Sequence, residues 1–497
     1  MNKINRKWIA VMITLCVVVV SATAYGCYED RTTVIGEVKE GHSIMDIIYS
    51  TDGEHWAYEA LLENWKKVVV VDGKVSKEYR SIYNLVLSPD GKHYGYHATL
   101  DNGKEVIVID GKESKEYDAI MNLSFSPDVT HYGYIAKLDN GNFVVVLDGK
   151  ESKEYEYAKI EAGQFSEDLS HYAFFGIYDE EEFFTMGDGS AIIDGKEYSA
   201  FAGAVSLSRD GKHWAYLYRG YDETTGGFPV YVIIDGEKSE GYYSATSVVF
   251  SEDSKHWAYG AVTPEFASLL IIDGKKKEIP HEASKIFLSS NGKRYAYEIS
   301  LKGLRHALVA DDMKGIDYLY SGEAVFSPDG EHLACYGKLE NDKYVMLIDG
   351  KMSREYDDIF SFSFSKDSKH YGYTAKIENH YVAVIDGKEY PDVLFSGFSP
   401  CSEHYVSWKK LDKDKYAVIV DSKQGKAYKT LYDVVFTGDG KHYAYGAVLE
   451  NDKQVIVIDG KETREYEKIE WIEFSADGKN LFFVADKKAI CKITLEE

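Results

Sequence analysis

Histidine recurs in this chain at a nearly fixed interval, and ten of the fifteen histidines occupy one position of a repeated motif. In its most regular form the motif reads Ser-x-Asp-Gly-Lys-His, so that the histidine follows an aspartate by three residues. Imidazoles and carboxylates are metal ligands and proton-transfer groups, which makes this spacing the first candidate for chemistry. The pairs are Asp52 and His55, Asp90 and His93, Asp128 and His131, Asp168 and His171, Asp210 and His213, Asp253 and His256, Asp329 and His332, Asp367 and His370, and Asp439 and His442, with His404 in a copy that lacks the aspartate.

The regularity of these residues argues against a metal site. Metal ligands must converge within a few ångströms, whereas equivalent positions of successive repeats diverge. We expect each histidine to form a hydrogen bond to a neighbouring turn or blade, and each aspartate to accept backbone N–H groups within its own turn. We expect no cofactor and no catalytic residue, with structural calcium at the aspartates as the alternative.

The elements that position these residues are short β-strands. The sequence contains twelve copies of the motif, which we number by the residue at the histidine position; Arg294 marks copy 7 and Asn480 marks copy 12. Successive copies are 34–43 residues apart, and the commonest interval is 38. In copy 2 the turn signals separate four predicted strands at 84–87, 93–99, 105–109 and 114–120. Four short strands in each period of this length are typical of a β-propeller blade, so we predict an all-β propeller fold.

Twelve blades exceed the usual number in one propeller, so the arrangement that we favour is two six-bladed propellers. The first would comprise residues 27–276 and the second residues 277–497. Exchange of the strand at 277–285 would let residues 37–44 close the first propeller and 277–285 close the second. One large ring and a division into seven and five blades are the alternatives. The two ends of the chain are complementary. Three strands at the C-terminus and one at the N-terminus would together complete a blade.

Residues 1–26 differ from the repeats and predict an export signal. Lys3, Arg6 and Lys7 precede an apolar stretch at 9–20, and small residues follow it. Cys27 then gives a lipobox-like end, which makes it the lipidation candidate; ordinary cleavage and an uncleaved anchor are the alternatives. In all three cases the positive-inside rule places the repeats outside the cytoplasm, in the periplasm or at the cell surface.

The charge of the chain restricts its partners. The sequence carries 57 Lys and Arg against 82 Asp and Glu, a net charge of −25. Such a surface repels nucleic acid and anionic lipid, so we expect no nucleic-acid binding and membrane contact only through the N-terminal anchor. The few cysteines fall in non-adjacent copies, and we expect free thiols there rather than a disulfide framework.

Two copies are longer than the others, and the extra residues give a binding hypothesis. Copies 4 and 5 carry insertions at 178–189 and 218–230, between the second and third predicted strands. Insertions on one face of a repeat protein are a common binding device. We predict an acidic, aromatic contact patch there; loops whose extra length is merely tolerated are the alternative. The predicted contact residues are Glu180, Glu181, Phe183, Phe184, Tyr221 and Phe228.

The repeat resembles a known family. Ser-Pro-Asp-Gly-Lys at 88–92, Ser-Pro-Asp at 126–128 and Ser-Pro-Asp-Gly at 327–330 are similar to the WD-like repeat of TolB-type periplasmic β-propellers. The resemblance spans the repeats and implies a propeller fold. The motif continues here as His-aromatic-small-aromatic rather than with the family's usual residues, and the α/β domain that precedes the TolB propeller is not recognisable, so a TolB role is not implied.

These observations predict a non-enzymatic, exported and membrane-tethered propeller that binds a protein or cell-envelope ligand. One alternative is an enzyme, such as a glycosidase or polysaccharide lyase, with a site at the propeller centre. The other is a structural spacer or adhesin. No Gly-x-Ser-x-Gly elbow is present, and Ser50–Trp56 resembles a sialidase Asp-box only superficially, because its glycine comes one place early.

Overall fold

The strands of this protein follow the repeat from one end of the chain to the other. The computed structural model describes residues 32–157, 159–177, 188–201, 205–223, 226–301, 306–311, 313–318, 320–321, 324–411 and 415–495. Regular structure in these ranges consists of β-strands. No helix with the length and apolar character needed to cross a membrane occurs in them.

The described residues form fifty strands, numbered here in chain order. The first group is β1 (Thr32–Glu37), β2 (Ser43–Tyr49), β3 (Trp56–Leu61), β4 (Lys67–Val71), β5 (Lys74–Val75), β6 (Ser81–Leu87), β7 (Tyr94–Thr99), β8 (Glu105–Ile109), β9 (Lys112–Glu113), β10 (Ala119–Phe125), β11 (Tyr132–Lys137), β12 (Phe143–Leu147), β13 (Lys150–Glu151), β14 (Lys159–Phe165), β15 (Tyr172–Ile177), β16 (Asp188–Ile193) and β17 (Lys196–Phe201). The second group is β18 (Val205–Leu207), β19 (Trp214–Arg219), β20 (Val230–Ile234), β21 (Glu237–Lys238), β22 (Ser244–Ala245), β23 (Val249–Phe250), β24 (Trp257–Val262), β25 (Ser268–Ile272), β26 (Lys275–Ile279), β27 (Ala283–Leu288), β28 (Tyr295–Ser300), β29 (His306–Ala310), β30 (Met313–Tyr318), β31 (Tyr320–Ser321), β32 (Val325–Phe326), β33 (Leu333–Lys338) and β34 (Tyr344–Ile348). The third group is β35 (Lys351–Met352), β36 (Asp358–Phe364), β37 (Tyr371–Ile377), β38 (His380–Ile385), β39 (Lys388–Pro391), β40 (Val393–Phe398), β41 (Tyr405–Leu411), β42 (Lys415–Val420), β43 (Lys423–Gln424), β44 (Thr430–Phe436), β45 (Tyr443–Val448), β46 (Gln454–Ile458), β47 (Lys461–Glu462), β48 (Ile469–Phe474), β49 (Asn480–Ala485) and β50 (Ala489–Thr494).

These strands form twelve antiparallel sheets, one for each copy of the repeat, and the fold is a β-propeller with twelve blades. In the blades of copies 1 to 11 the strands are hydrogen-bonded in chain order from first to fourth, as in the sheet β6-β7-β8-β9 of copy 2. The first strand is split in copies 6 and 8, where β22 and β23, and β31 and β32, pair with one second strand. The prediction of an all-β propeller with about twelve four-stranded blades is confirmed.

The chain divides into two compact units. Unit 1 takes the residues up to Lys77 and Asp392–Glu497, which include the blades of copies 1, 10, 11 and 12. Unit 2 takes Glu78–Pro391, with the blades of copies 2 to 9.

Within unit 1, the two ends of the chain complete one blade. The N-terminal strand β1 pairs antiparallel with the C-terminal strand β50, with Thr32 opposite Ile493. The predicted complementarity of the chain ends is therefore confirmed, although the N-terminal strand covers Thr32–Glu37 rather than 37–44. Pairing with β1 removes the exposed edge that β50 would otherwise present.

The predicted exchange of strands between two six-bladed propellers is wrong. β26 lies across the proposed boundary at 276 and 277, and it pairs with β25 in the blade of copy 6. Residues 283–285, which the exchange would also have used, begin the first strand of copy 7, β27. Pro280 lies between the fourth strand of one blade and the first strand of the next.

The alternation of large and small residues in the second strands follows from packing between neighbouring blades. Tyr96 in β7 and Tyr134 in β11 are almost fully buried. Gly95 lies against the ring of Phe125, and a Cβ at this position would approach a ring carbon to 2.6 Å. A small residue beside each buried ring is therefore required by close packing.

The fourth strands differ from the prediction, because a serine interrupts them. In copy 2 only Lys112 and Glu113 belong to the ladder. The hydroxyl of Ser114 accepts a hydrogen bond from the N–H of Ile107, at 3.0 Å. The pairing then resumes at a single bridge between Tyr117 and Glu105. The side chain of Ser114 thus replaces a backbone partner, as serine does in turns.

A recurrent hydrogen bond joins the fourth strands of consecutive blades. The hydroxyl of Tyr117 donates to Oε1 of Glu151 in the next blade, at 2.8 Å. Lys115 forms an ion pair with the same carboxylate at 3.0 Å. Burial, together with the charge of Glu151, raises the pKa of Tyr117. The same tyrosine–glutamate contact occurs for Tyr79 and Glu113, Tyr157 and Glu197, Tyr356 and Glu389, and Tyr428 and Glu462.

Candidate functional site

The repeated histidines bind aspartates within their own blades. Nδ1 of His93 lies 2.9 Å from Oδ2 of Asp110, and the N–H of Tyr94 donates to Oδ1 of the same carboxylate at 3.0 Å. Ten blades contain this arrangement, with Nδ1 to Oδ2 distances of 2.5–2.9 Å. In copy 7 Arg294 takes the place of histidine and donates to Asp311 at 2.6 Å. The aspartate therefore binds the start of the second strand to the turn after the third strand. We call this pair of hydrogen bonds, to the histidine side chain and to the following N–H, the His–Asp clip.

The clip shifts the proton affinity of the imidazole. The hydrogen bond from Asp72 raises the pKa of His55, and Asp110 and Asp148 raise the pKa of His93 and His131 in the same way. A carboxylate that accepts a hydrogen bond from imidazolium favours the protonated ring.

The aspartates of the motif are used in the turn itself. Oδ1 of Asp52 accepts the hydroxyl hydrogen of Ser50 at 2.6 Å and the N–H of Glu54 at 3.0 Å. These hydrogen bonds lower the pKa of Asp52, because they favour the carboxylate form. The same geometry occurs at Asp90, Asp128, Asp168, Asp210, Asp253, Asp329, Asp367, Asp439 and Asp477.

Both members of the motif thus serve the fold rather than a shared site. In the part of the chain that the structure describes, no three His, Cys, Asp or Glu side chains come together in a group that could hold a metal ion. Three clefts of about 400–510 Å³ are formed mainly by third and fourth strands and their turns, and the two in copies 8–9 and 10–11 use equivalent repeat positions.

The turns between second and third strands carry a stronger functional signal. In copies 2 and 3 the left-handed position of this turn is a glycine, Gly103 with φ of 83° and Gly141 with φ of 89°. In copy 1 the same position is Trp65, with φ of 64°, and its side chain is 80% exposed. In copy 6 it is Phe266, with φ of 66° and an exposure of 71%.

Neither aromatic residue is explained by folding. A bulky side chain in the left-handed region costs conformational energy that glycine avoids. Exposure of a large apolar ring also forgoes the energy of burial. Residues that are both strained and exposed in this way lower the stability of the fold, so we infer a functional role for them.

Phe266 belongs to a group of four exposed rings in unit 2. The ring of Tyr243 packs on Phe266 with centroids 5.1 Å apart, and the ring of Tyr221 packs on Phe228 at 5.3 Å. The four side chains are 61–71% exposed. We call Tyr221, Phe228, Tyr243 and Phe266 the aromatic patch.

Backbone pairing brings the two ring pairs to one edge of consecutive blades. The N–H of Val230, two residues after Phe228, donates to the carbonyl of Tyr242 at 2.8 Å. The N–H of the next residue, Tyr243, donates to the carbonyl of Val262, at the end of the strand that leads to Phe266. The turns between second and third strands in copies 5 and 6 are therefore linked by hydrogen bonds through Tyr242 and Tyr243.

The patch overlaps the predicted one in part. Tyr221 and Phe228 are exposed and in contact with each other. Glu180, Glu181, Phe183 and Phe184 lie outside the described residues, as does Cys27. Sequence reasoning missed Tyr243, Phe266 and Trp65; an aromatic residue at the glycine position of the turn is the signal that could have revealed the last two.

Carboxylates surround the aromatic patch. Asp222, Glu223 and Glu265 lie in the same turns, and Glu282 accepts the hydroxyl hydrogen of Ser244 at 2.9 Å. Arg219, at the end of β19, lies 4.9 Å from the centroid of the Phe201 ring, and its Nε donates weakly to the carbonyl of Phe228 at 3.4 Å. The patch is thus apolar at its centre, and at its border the four carboxylates outnumber the one arginine.

One pair of carboxylates in unit 1 bears on the enzyme alternative. Burial, and then the charge of Asp46, raise the pKa of Glu473. Both residues belong to first strands, β2 and β48. A glycosidase requires such a pair around a cleft of sugar size. The three clefts described above are lined by other residues.

No family model matches the chain, and no curated protein matches it. Among solved structures it is similar to a protein described as "Crystal structure of the eukaryotic initiation factor", at 12% identity and a TM-score of 0.35. The match covers 75% of this chain and 96% of that chain.

Proposed function

We propose that this chain is an exported, membrane-tethered binding protein of the bacterial cell envelope, and that the aromatic patch is its contact surface. The carrying observation is the pairing of four exposed rings at one edge of the blades of copies 5 and 6. Exposed apolar groups rimmed by polar residues are typical of interaction sites. The resemblance of the repeat to that of TolB-type periplasmic propellers supports an exported protein of the cell envelope.

A binding role also agrees with the use of the repeat residues. The histidines and aspartates that most resemble catalytic groups are engaged in clips and turns. The rigid blades would then serve to present the patch, since sites on a firm scaffold lose less entropy on binding. We assign no catalytic residue.

The test is capture from the native envelope with matched variants. In the patch variant, Tyr221, Phe228 and Tyr243 are replaced by alanine and Phe266 by glycine. The control is Phe360→Ala with Tyr381→Ala, a second pair of partly exposed rings, 6.3 Å apart, in copy 9. We expect the patch variant to lose a cross-linked partner that the control retains. Equal capture by both variants would favour the structural-spacer alternative.

The tether is proposed to be lipid on Cys27. Thr32, the first residue of β1, follows Cys27 by five positions, and this stretch of chain can span at most about 18 Å. The blade that β1 completes would then lie close to the membrane. Cys27→Ser should move the protein from the membrane fraction to the soluble fraction; unchanged membrane association would favour an uncleaved anchor.

A further inference from the structure

We propose that the aromatic patch binds an extended, lysine- or arginine-bearing segment of a partner protein. This inference rests on the proposed function and adds the chemistry of the ligand to it. Three features of the patch support a cationic ligand. They are the predominantly negative charge around the rings, the lack of a lysine or arginine over these four rings among the described residues, and the way the chain pairs cations with other rings nearby.

The charge around the patch is predominantly negative, with Arg219, which lies over Phe201, as the adjoining cation. The segments 220–230, 241–248, 262–268 and 281–283 contain Asp222, Glu223, Glu265 and Glu282 and contain no lysine or arginine. Among the described residues, no lysine or arginine lies within ion-pair distance of Glu265 or Glu282. An anionic ligand would be repelled here, and a purely apolar one would remove water from carboxylates without replacing it.

The rings themselves lack a cation of the chain. In the same region Nζ of Lys238 lies 3.5 Å from the centroid of the Tyr231 ring, and Arg219 lies over Phe201. For the four rings of the patch, the described part of the chain provides no such cation. A ligand ammonium or guanidinium group over these rings would gain the cation–π attraction that the internal pairs have.

An extended ligand fits the layout better than a single ion. The two ring pairs belong to consecutive blades and are joined through Val230, Tyr242 and Tyr243. A ligand that contacts both pairs must therefore carry more than one binding group along its length. Alternating cationic side chains on an extended backbone meet this requirement, because alternate side chains point to the same side.

The test measures binding of defined probes to the detergent-solubilised full chain by fluorescence anisotropy. The probes are a labelled peptide of alternating lysine and glycine, matched peptides with glutamine or glutamate in place of lysine, and a neutral oligosaccharide. The variants are Glu265→Gln with Glu282→Gln, the patch variant, and the Phe360→Ala and Tyr381→Ala control. Thermal denaturation verifies that each variant is folded.

We expect the lysine peptide alone to bind, and to bind about tenfold more weakly to the charge variant and to the patch variant than to the control. We also expect its affinity to fall between about 50 mM and about 200 mM salt, because exposed charges are screened. Binding of the neutral oligosaccharide or the glutamate peptide at this patch would overturn the cationic ligand. So would failure of the lysine peptide to bind.

The outcomes separate this inference from the proposed function. If the lysine peptide fails but the patch variant still loses its native partner, the patch is a contact surface for a ligand of another chemistry. If the patch variant keeps its native partner, the proposed function itself is wrong, whatever the peptides do.

Discussion

Asp110 holds the side chain of His93 and the backbone of the following residue at the same time. Oδ2 lies 2.9 Å from Nδ1 of the imidazole, while Oδ1 accepts the N–H of Tyr94 at 3.0 Å. The contact joins residues 17 positions apart and fixes the hairpin between second and third strands. Its recurrence in ten blades explains why histidine is repeated so regularly in this chain.

The clips predict a pH optimum of stability. The folded pKa values of His55, His93 and His131 lie above their usual value of 6.5. Their contribution to the unfolding free energy is therefore fully present below pH 6.5 and is lost as the pH rises through the folded pKa. The turn aspartates act in the opposite direction: the pKa of Asp128 and of Asp439 is lowered to about 2, so their contribution is present above 3.8 and is lost as the pH falls through the folded pKa.

We therefore expect the thermal midpoint to be highest between pH about 4 and about 6.5, and to decline on both sides, when it is measured up to about pH 8. The matched variant replaces the three histidines by arginine, which Arg294 shows to fit the same clip. Arginine does not titrate in this range, so the decline on the alkaline side should shrink. An unchanged alkaline decline in this variant would show that other groups cause it.

The contact between Tyr117 and Glu151 should stabilise the junction of their blades. Tyr117→Phe removes the hydroxyl that donates to Glu151 at 2.8 Å and leaves the ring in place. We expect a loss of about 1 kcal/mol in the free energy of local opening, the usual value of such a hydrogen bond. Hydrogen–deuterium exchange of the amides in β8 and β12 measures it. Tyr221→Phe, at an exposed tyrosine, is the control and should have no effect.

Trp65 should destabilise the turn in which it lies. Its φ of 64° lies in the left-handed region, which Gly103, with φ of 83°, occupies in copy 2 without a Cβ. Trp65→Gly is therefore expected to stabilise the protein by about 1 kcal/mol, and the reverse change, Gly103→Trp, to destabilise it by a similar amount. Thermal denaturation of both variants gives the comparison. A loss of stability in Trp65→Gly would mean that the indole serves the fold.

The closure of the last blade can be tested at Gly36 in β1. A Cβ at this position would lie 2.4 Å from a ring carbon of Trp56. Gly36→Val should therefore push β1 away from its place and cost about 1–3 kcal/mol, with faster amide exchange in β50. Gly438→Ala serves as the control, since its Cβ would meet only a backbone oxygen at an ordinary 3.5 Å. Equal exchange in the two variants would contradict the packing of β1 against copy 1.

The sequence predicted the blades because period and turn chemistry are local. Asp110 and Gly111 both have positive φ, as their type of two-residue hairpin requires. The Asn-Gly pair at 102 and 103 suggests the same turn, but only Gly103 is left-handed, because the hydrogen bond from the N–H of Leu100 to the carbonyl of Lys104 encloses three residues. Strand pairing over a long distance was harder, because nothing local to residues 32–37 states which strand they will join. Residues 275–279 were assigned wrongly although their signal is local: Asp273 and Gly274 form the same hairpin as Asp110 and Gly111 and join β26 to β25.

The candidate site was predicted in part for a similar reason. Tyr221 and Phe228 lie in an insertion, which interrupts the period and is visible in one sequence. Tyr243 and Phe266 lie in segments of ordinary length, and their exposure follows from the pairing of Tyr242 with Val230. A chain with 41 tyrosines gives no means of separating the few exposed rings from the many buried ones by composition alone.

The most direct test of the account is photo-crosslinking from the patch in intact cells. A benzophenone side chain replaces Phe266 in one variant and Phe360, an exposed ring of copy 9, in another. The account predicts a discrete adduct on illumination from position 266 and none from position 360. Adducts of the same kind from both positions, or no adduct from position 266, would contradict the aromatic patch as the contact surface.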